Sequence, residues 1–301
     1  MQDSDRQWLT LDLLKAAEEH FKDKEIEAAR LNAEILLAHV LQSTRMELYL
    51  KHDRPIFQRE LEEFRLLCRK RLKGRPLQYI TGEQIFYGHS FLVDERVLIP
   101  RPETELVLEH ALDRMAVQGF TDRGGVSVLD IGTGTGCLAI MLALKLPNVK
   151  ITAVDLSPGA LEVAERNAVR HDVSGRIDFL QADALSPRFA DDVREKYDVI
   201  LSNPPYIPEL EWEGLEPEVK EHEPKMAMVI LDGFAFYRAI TANAPVLLKT
   251  GGLLCFELHA DGAGKVLEIV SAHGIRDVEV HQDYAGWDRV LSGLLKGSGA
   301  G

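Results

Sequence analysis

The chain contains few cysteines. Only Cys68, Cys137 and Cys255 occur among its 301 residues, and none belongs to a CxxC pair. Neither a disulfide framework nor a zinc site is therefore expected, and the three residues are interpreted as reduced thiols of a cytoplasmic protein. The motifs HExxH and GxSxG are also missing, so the sequence does not support a zinc protease site or a serine nucleophile, and no metal is predicted.

Long hydrophobic runs are absent as well. No stretch approaches eighteen consecutive apolar residues, so we expect neither a membrane span nor a membrane partner. The opening residues MQDSDRQWLTLDLL are acidic and lack the basic and apolar regions of a secretory signal. Hydrophobic residues make up 46% and charged residues 28%, the balance of a soluble globular protein with room for two domains.

Basic residues are outnumbered, with 35 Lys and Arg against 48 Asp and Glu. Residues 1–90 carry 15 of each sign, whereas residues 91–301 carry 20 basic and 33 acidic residues. A phosphate backbone would be repelled by the acidic part, so no direct nucleic-acid partner is expected unless a local basic patch overcomes the repulsion. The basic run 69–75 is interpreted as a solvated helix end in preference to a partner-binding face.

The first part of the chain has the apolar spacing of helices. Stripes with three- and four-residue spacing run through 9–21, 28–41 and 56–72. They predict a small helical bundle over residues 1–80.

The next segment changes character. From residue 77 to residue 100, β-branched and aromatic residues are separated by Gly82 and Gly88, which predicts a short β-hairpin. We assign the connection between two domains to residues 81–100.

From residue 101 onward, short apolar strands alternate with helical periods. The strands are expected at VSVLDI, KITAVDL, RIDFLQAD, YDVILSNPP and GGLLCFEL. This alternation predicts an α/β fold with a doubly wound, mostly parallel sheet over residues 101–296. Two further strands should flank a turn at Gly286, and residues 297–301 should form a flexible tail.

A glycine-rich turn follows the first of these strands. The strand VLDI runs into Gly132-Thr133-Gly134-Thr135-Gly136 and then into a helix. Glycines let a backbone adopt positive φ and approach a ligand closely. Alone, this signal fits any nucleotide site, but the GxGxG spacing departs from the GxGxxG of dehydrogenases.

Two acidic residues end the next two strands. Asp155 lies about 20 residues beyond the glycines, where a carboxylate can hold the ribose hydroxyls of an adenosine. Helix capping is the alternative, because Ser157-Pro158 also resembles a helix start. Asp183 is interpreted either as a contact to the adenine amino group or as a loop cap.

The motif Ser202-Asn203-Pro204-Pro205-Tyr206 follows the strand YDVIL. Its prolines remove two backbone donors, so an Asn carbonyl and a Pro carbonyl form a rigid acceptor pair suited to an NH2 group. Tyr206 offers a flat face to a planar group. A simple proline-rich turn is disfavoured, because the motif lies at the carboxyl end of a strand, where α/β proteins bind ligands.

These three elements, in this order, resemble the class I S-adenosylmethionine methyltransferases, and NPPY resembles the branch that modifies amide or exocyclic amino nitrogens. Further segments are similar to the PrmC/HemK family, which methylates the glutamine of the GGQ motif in peptide chain release factors. They are PLQYITG at 76–82, LIPRPETE at 98–105, NPPYIP at 203–208, Glu223-Pro224 and DYAGWDRV at 283–290.

The resemblance implies a Rossmann-like domain with a seven-stranded sheet, preceded by a helical substrate-recognition domain. It implies S-adenosyl-L-methionine as cofactor, S-adenosyl-L-homocysteine as product and release factors as partners. The cofactor would be held by Gly132, Thr133, Gly134, Thr135, Gly136, Asp155 and Asn203, with Asp183 and Ala184 near its adenine. The catalytic residues would be Asn203, Pro204, Pro205 and Tyr206, with Thr104 and Glu105 close to the cleft.

The chain departs from the family in places. Met228-Val229-Ile230-Leu231 replaces a glycine pair, and His259 and Gly262 replace a glycine and a glutamine. We interpret His259 as a hydrogen-bonded residue at a sheet end and not as a base. Two alternative functions remain: a nucleic-acid methyltransferase acting on adenine N6 or guanine N2, which would need base flipping, and a catalytically idle cofactor-binding module.

Overall fold

The computed structural model describes residues 7–121 and 124–296. Within it the chain divides into two compact units. Of the described residues, the helical unit comprises 7–82 and 216–222, and the α/β unit comprises 83–121, 124–215 and 223–296. The predicted tail at 297–301 lies outside the described residues.

The helical unit is a small bundle built around buried aromatic and leucine side chains, among them Phe21, Leu36 and Phe64. Its N-terminal helices are α1 (Thr10–Asp23), α2 (Ala29–Val40), α3 (Arg45–Leu50), α4 (Gln58–Leu72) and α5 (Leu77–Thr81).

Two of these helices were not predicted. Helix α3 is only six residues long and is stabilised by a capping box between Thr44 and Glu47. Helix α5 occupies Leu77–Thr81, where the sequence pattern suggested the start of a hairpin, and it ends at Gly82 with a φ of +76°. The hairpin therefore begins later than expected.

The helical unit also includes a segment from far along the chain. Helix α10 (Pro217–His222) belongs to it, although residues 101–296 were expected to form one continuous domain. Arg71 of α4 forms an ion pair with Glu218 of α10, and Arg71 also donates to Asn32.

The α/β unit holds the remaining elements. Its helices are α6 (Pro102–Val117), α7 (Cys137–Lys145), α8 (Pro158–Arg170), α9 (Phe189–Val193), α11 (Ala235–Leu247) and α12 (Ala263–Ala272). Its strands are β1 (Glu83–Phe86), β2 (His89–Leu92), β3 (Val126–Ile131), β4 (Val149–Asp155), β5 (Ile177–Gln181), β6 (Tyr197–Ser202), β7 (Ile207–Pro208), β8 (Val229–Ile230), β9 (Leu248–Glu257), β10 (Ile275–Gln282) and β11 (Asp288–Leu295).

The main sheet contains seven strands in the order β10-β11-β9-β6-β3-β4-β5. Strands β9, β6, β3, β4 and β5 are parallel, whereas β11 runs antiparallel to both of its neighbours. This confirms the predicted α/β fold with a mostly parallel sheet, including the two last strands around Gly286. Buried apolar side chains fill both faces of the sheet, as expected for strands covered by helices.

The topology fixes where a ligand can bind. From β3 the chain continues to β4 and β5 on one side of the sheet, whereas β6 and β9 lie on the other side of β3. Such a switch point opens a crevice at the carboxyl edge of the sheet. Among the described residues, no helix is both long and apolar enough to cross a bilayer.

Candidate active site

The glycine turn after β3 curls back toward β4. The backbone N–H groups of Gly132 and Thr133 both donate to the carbonyl of Val154, at 2.8 and 2.9 Å. Gly132, Gly134 and Gly136 have φ values of +76°, +55° and +79°, a region that disfavours residues with a Cβ. The turn therefore presents bare backbone to the crevice.

Gly136 has a packing role instead of a ligand-facing one. A Cβ at this position would meet Ile140 Cδ1 at 3.1 Å and Ala164 Cβ at 3.2 Å. Gly136 is not among the residues that line the pocket described below, unlike the other four residues of the turn. It lets α7 begin close to α8.

Asp155 ends β4 with its carboxylate beside the glycine turn. One oxygen accepts from the backbone N–H of Gly134 and the other from that of Ser157, each at 2.9 Å. The cap of α8 is Ser157, whose hydroxyl accepts from Ala160, so Asp155 does not cap the helix. Burial raises the pKa of the Asp155 carboxyl, although the backbone hydrogen bonds that it accepts act to lower this pKa.

Asp130, the residue before the last of β3, was not predicted as a site residue. Its Oδ2 accepts from the Thr133 hydroxyl at 2.7 Å. Its Oδ1 is buried at the pocket and has no hydrogen-bond partner within the described part of the chain. Burial raises the pKa of this carboxyl to about 6. An acidic residue two positions before the glycine turn was the signal that could have identified it.

Asp183 and Ala184 follow β5 and both line the pocket. The Asp183 Oδ1 accepts from the backbone N–H of Leu185 at 2.8 Å, a contact of the kind that a loop cap makes. The same residue nevertheless faces the crevice, and the two interpretations are compatible.

All these elements surround one pocket of about 1090 Å³, a volume that includes the part open to solvent. Its walls also include Leu98, Pro100, Arg101 and Pro224 from the segments LIPRPETE and Glu223-Pro224. Several further wall residues were not indicated by any motif: Arg96, Val97, Asp130, Met226, Ala227 and Phe236.

Asn203, Pro204 and Pro205 line the same pocket. The side-chain nitrogen of Asn203 donates to the hydroxyl of Thr104 at 3.1 Å, and that hydroxyl donates to Glu257 Oε2 at 2.7 Å. Thr104 and Glu257 are buried, and burial raises the pKa of the Glu257 carboxyl to about 7. A hydrogen-bonded chain therefore runs from the NPPY motif into the interior.

Tyr206 lies beside the pocket but is not among its lining residues. Its hydroxyl donates to Glu257 Oε1 at 3.2 Å, and its ring meets that of His259 edge-to-face with centroids 5.7 Å apart. Burial raises the pKa of Tyr206 well above its usual value. The contact of Tyr206 with a planar substrate stays a prediction.

Glu105, which was expected near the cleft, accepts from the backbone N–H of Tyr87 in the β1–β2 turn at 2.6 Å. Glu223 is buried and binds both the N–H of Ile99 and the guanidinium of Arg101. This double contact holds the pocket-lining segment around Pro224 against the one around Pro100.

The departures from the family pattern lie around Tyr206. Val229 and Ile230 form β8, which pairs in parallel with β7 directly after NPPY. His259 Nε2 lies 3.4 Å from a carboxylate oxygen of Glu211, and Gly262 precedes α12 with an ordinary φ of −90°. These residues surround the edge of the site and leave the glycine turn untouched.

Comparison with known proteins places this site in a family. A model described as the PrmC N-terminal domain matches residues 12–82, and one described as a methyltransferase small domain matches residues 111–214. A methyltransferase structure from Pyrococcus furiosus aligns with a TM-score of 0.51 at 20% identity, over 78% of this chain and 98% of that one, which supports the fold alone.

Two relatives are more informative. A release factor glutamine methyltransferase from Chlorobaculum tepidum is 55% identical, over 95% of this chain and 97% of its own length. One from Geobacter sulfurreducens is 40% identical, over 96% of this chain and 97% of its own length. With its glycine turn, acidic strand ends and NPPY motif gathered at one pocket, the chain belongs to the release factor glutamine methyltransferase family.

Proposed function

We propose that the protein transfers a methyl group from S-adenosylmethionine to the side-chain amide nitrogen of the glutamine in the GGQ motif of peptide chain release factors. The observation that carries the proposal is the orientation of Asn203. Its nitrogen points to Thr104, so its oxygen is the group left to accept a hydrogen bond from a substrate NH2.

The pocket fits the cofactor. S-adenosylmethionine carries an ammonium and a sulfonium group, and Asp130 contributes a buried carboxylate oxygen that lacks a partner within the described residues. Each oxygen of Asp155 accepts one backbone hydrogen bond and retains capacity for ribose hydroxyls. We assign the cofactor to Gly132, Thr133, Gly134, Thr135 and Asp155, with Asp183 and Ala184 near the adenine, and Gly136 supports the turn from behind.

Asn203 and Pro204 are assigned to the substrate amide. An amide nitrogen is a poor nucleophile because its lone pair is delocalised into the carbonyl. Two acceptors on the NH2 hydrogens would orient the lone pair and hold the nitrogen in line with the reacting carbon, and positioning of this kind lowers the barrier. When bound, the cofactor supplies a methyl group already activated by its sulfonium. The nitrogen becomes acidic only after transfer, so no strong base is needed.

Recognition of the release factor is assigned to the helical unit. One glutamine side chain offers too little surface for specificity, so a protein substrate must be bound elsewhere as well. Arg69, Lys70 and Lys73 are exposed at the end of α4, whereas Arg71 is held by Asn32 and Glu218. The first three residues are therefore the basic docking candidates, and Arg71 has a structural role. With an intracellular substrate, the protein would act in the cytoplasm.

Methyl transfer from labelled cofactor tests the proposed activity. We expect label on an intact release factor and none on a variant whose GGQ glutamine is replaced by alanine. Duplex DNA and ribosomal RNA serve as competing substrates. Label on nucleic acid alone would identify the exocyclic-amine methyltransferase, and label on none of the substrates would favour an idle binding module.

Charge reversal tests the docking assignment. Arg69→Glu, Lys70→Glu and Lys73→Glu together should raise KM for the intact release factor and leave KM for a short GGQ peptide unchanged. The matched control reverses Lys15, Lys22 and Lys24, which are also exposed in the helical unit. Equal effects of the two triple variants would mean that only net charge matters.

A further inference from the structure

We propose that Thr104 and Glu257 are positioning residues that determine which end of the Asn203 side-chain amide faces the substrate. This inference rests on the proposed function, because it explains how the substrate-binding acceptor is oriented. It concerns a chain of three side chains: Asn203 Nδ2 lies 3.1 Å from Thr104 Oγ1, which lies 2.7 Å from Glu257 Oε2.

The fold brings these residues together from distant parts of the sequence. Strands β6 and β9 are parallel neighbours, and their register pairs Ser202 with Phe256. Asn203 and Glu257 are therefore the next residues along two adjacent strands. Thr104 is the third residue of α6, and its side chain hydrogen-bonds to both.

The direction of the hydrogen bonds follows from donor and acceptor capacity. An ionised carboxylate only accepts, so Glu257 requires the Thr104 hydroxyl to donate to it. A hydroxyl has one proton, and Thr104 is then left with lone pairs toward Asn203. An acceptor at that point selects the NH2 end of the Asn203 amide, and the carbonyl end is directed away from Thr104.

This selection matters because the two ends of an asparagine amide have nearly the same shape and opposite hydrogen-bonding character. With the amide rotated by half a turn, an NH2 group would face the NH2 group of the substrate glutamine. Two donors cannot bond to each other, so the substrate would lose its acceptor. Tyr206 donates to the second oxygen of Glu257 at 3.2 Å and holds the carboxylate in place.

Thr104→Val and Thr104→Ser provide the test. Valine matches the shape of threonine but has no hydroxyl, so Asn203 loses its acceptor and Glu257 loses a donor. We expect kcat on the release factor to fall about 10- to 100-fold, as for a buried group left without its partner. The KM for the release factor and the calorimetric affinity for S-adenosylmethionine should stay within about twofold of the wild-type values. The reason is that interactions made equally in the ground state and in the transition state are unaffected. Serine keeps the hydroxyl and should restore kcat to within about threefold of wild type.

Thr241→Val is the matched control, because Thr241 is also fully buried and its hydroxyl has no partner within the described residues. It should leave kcat unchanged. An unchanged kcat in Thr104→Val, or an equal loss in Thr104→Val and Thr104→Ser, would overturn the proposal.

A second readout separates this inference from the proposed function. The side-chain NH2 resonances of Asn203, assigned by comparison with Asn203→Asp, should shift in Thr104→Val and return toward wild type in Thr104→Ser. Absence of wild-type turnover on a release factor would contradict the proposed function, and these resonances would still test the orientation. Resonances that are the same in all three proteins would contradict the positioning role.

Discussion

Replacing Glu257 with glutamine removes a titrating group from the interior of the α/β unit and keeps the size of the side chain. Burial raises the pKa of Glu257 from 4.5 to about 7, against the hydrogen bonds from Thr104 and Tyr206. The native state therefore holds a proton that the unfolded chain releases between these pH values. The resulting stabilisation is complete below pH 4.5 and is lost as the pH rises to about 7. At about 1.4 kcal/mol per pKa unit, the gap corresponds to about 3 kcal/mol.

Urea unfolding of wild type and Glu257→Gln at matched pH values measures this contribution. Both proteins carry Trp8→Phe, so that fluorescence comes from Trp212 and Trp287 of the α/β unit. The wild type should lose about 3 kcal/mol relative to the variant between about pH 4.5 and about pH 8. Asp130, whose pKa is also raised, contributes equally to both proteins. A difference that stays constant within about 1 kcal/mol would refute titration of Glu257 in this range.

The same substitution has a kinetic consequence. Above about pH 7, Glu257 is ionised and accepts from Thr104, so wild-type kcat should rise through this pH. Glu103, Arg289 and Tyr206 also face the carboxylate, and all three remain in the variant. Glutamine can present its carbonyl to Thr104 at every pH. The variant should therefore keep measurable turnover, and its kcat should not rise near pH 7. An identical dependence of kcat on pH in both proteins would exclude Glu257 as the source of the rise.

Asp155→Ala should weaken S-adenosylmethionine binding about tenfold or more, because ribose hydroxyls lose a charged acceptor; an unchanged affinity in calorimetry would exclude the ribose role. Asn203→Ala should abolish turnover on the release factor and nearly preserve cofactor affinity, and wild-type turnover would contradict the mechanism. Gly136→Ala should lower Tm more than Gly119→Ala. Both sites have positive φ, but only a Cβ at 136 meets side chains, at 3.1 and 3.2 Å. Equal Tm shifts would mean that backbone strain dominates.

The sheet could be predicted because its parallel strands are short apolar runs separated by helical periods. The missed helices have no such signal. Helix α3 covers six residues and depends on the capping box of Thr44 and Glu47, and α5 covers five. Helix α10 belongs to the helical unit, where its Glu218 pairs with Arg71, 147 residues away in the sequence. No local pattern reports a contact at that separation.

The candidate site was predictable where a motif directly follows a strand. The glycine turn, Asp155, Asp183 and NPPY lie at the carboxyl ends of β3, β4, β5 and β6, and parallel topology gathers these ends at one edge. Phe236 and Met226 reach the same pocket from segments without a motif. Tyr206 is the opposite case, because it belongs to a motif but its contact was not predicted. Only the fold shows that its hydroxyl donates to Glu257.

Glu257 marks the limit of such reasoning. The strand GGLLCFE carries an acid at the end of a buried apolar run, which is costly to bury and in that sense conspicuous. The sequence alone does not show what compensates the cost. The answer requires β9 beside β6 in a register that pairs Phe256 with Ser202, and it requires α6 to begin where Thr104 meets both strands. The buried Glu257 carboxyl is thus linked through Thr104 to Asn203, the residue assigned to the substrate. Its burial lowers the stability of the fold, and in return the side-chain amide of Asn203 has a defined orientation.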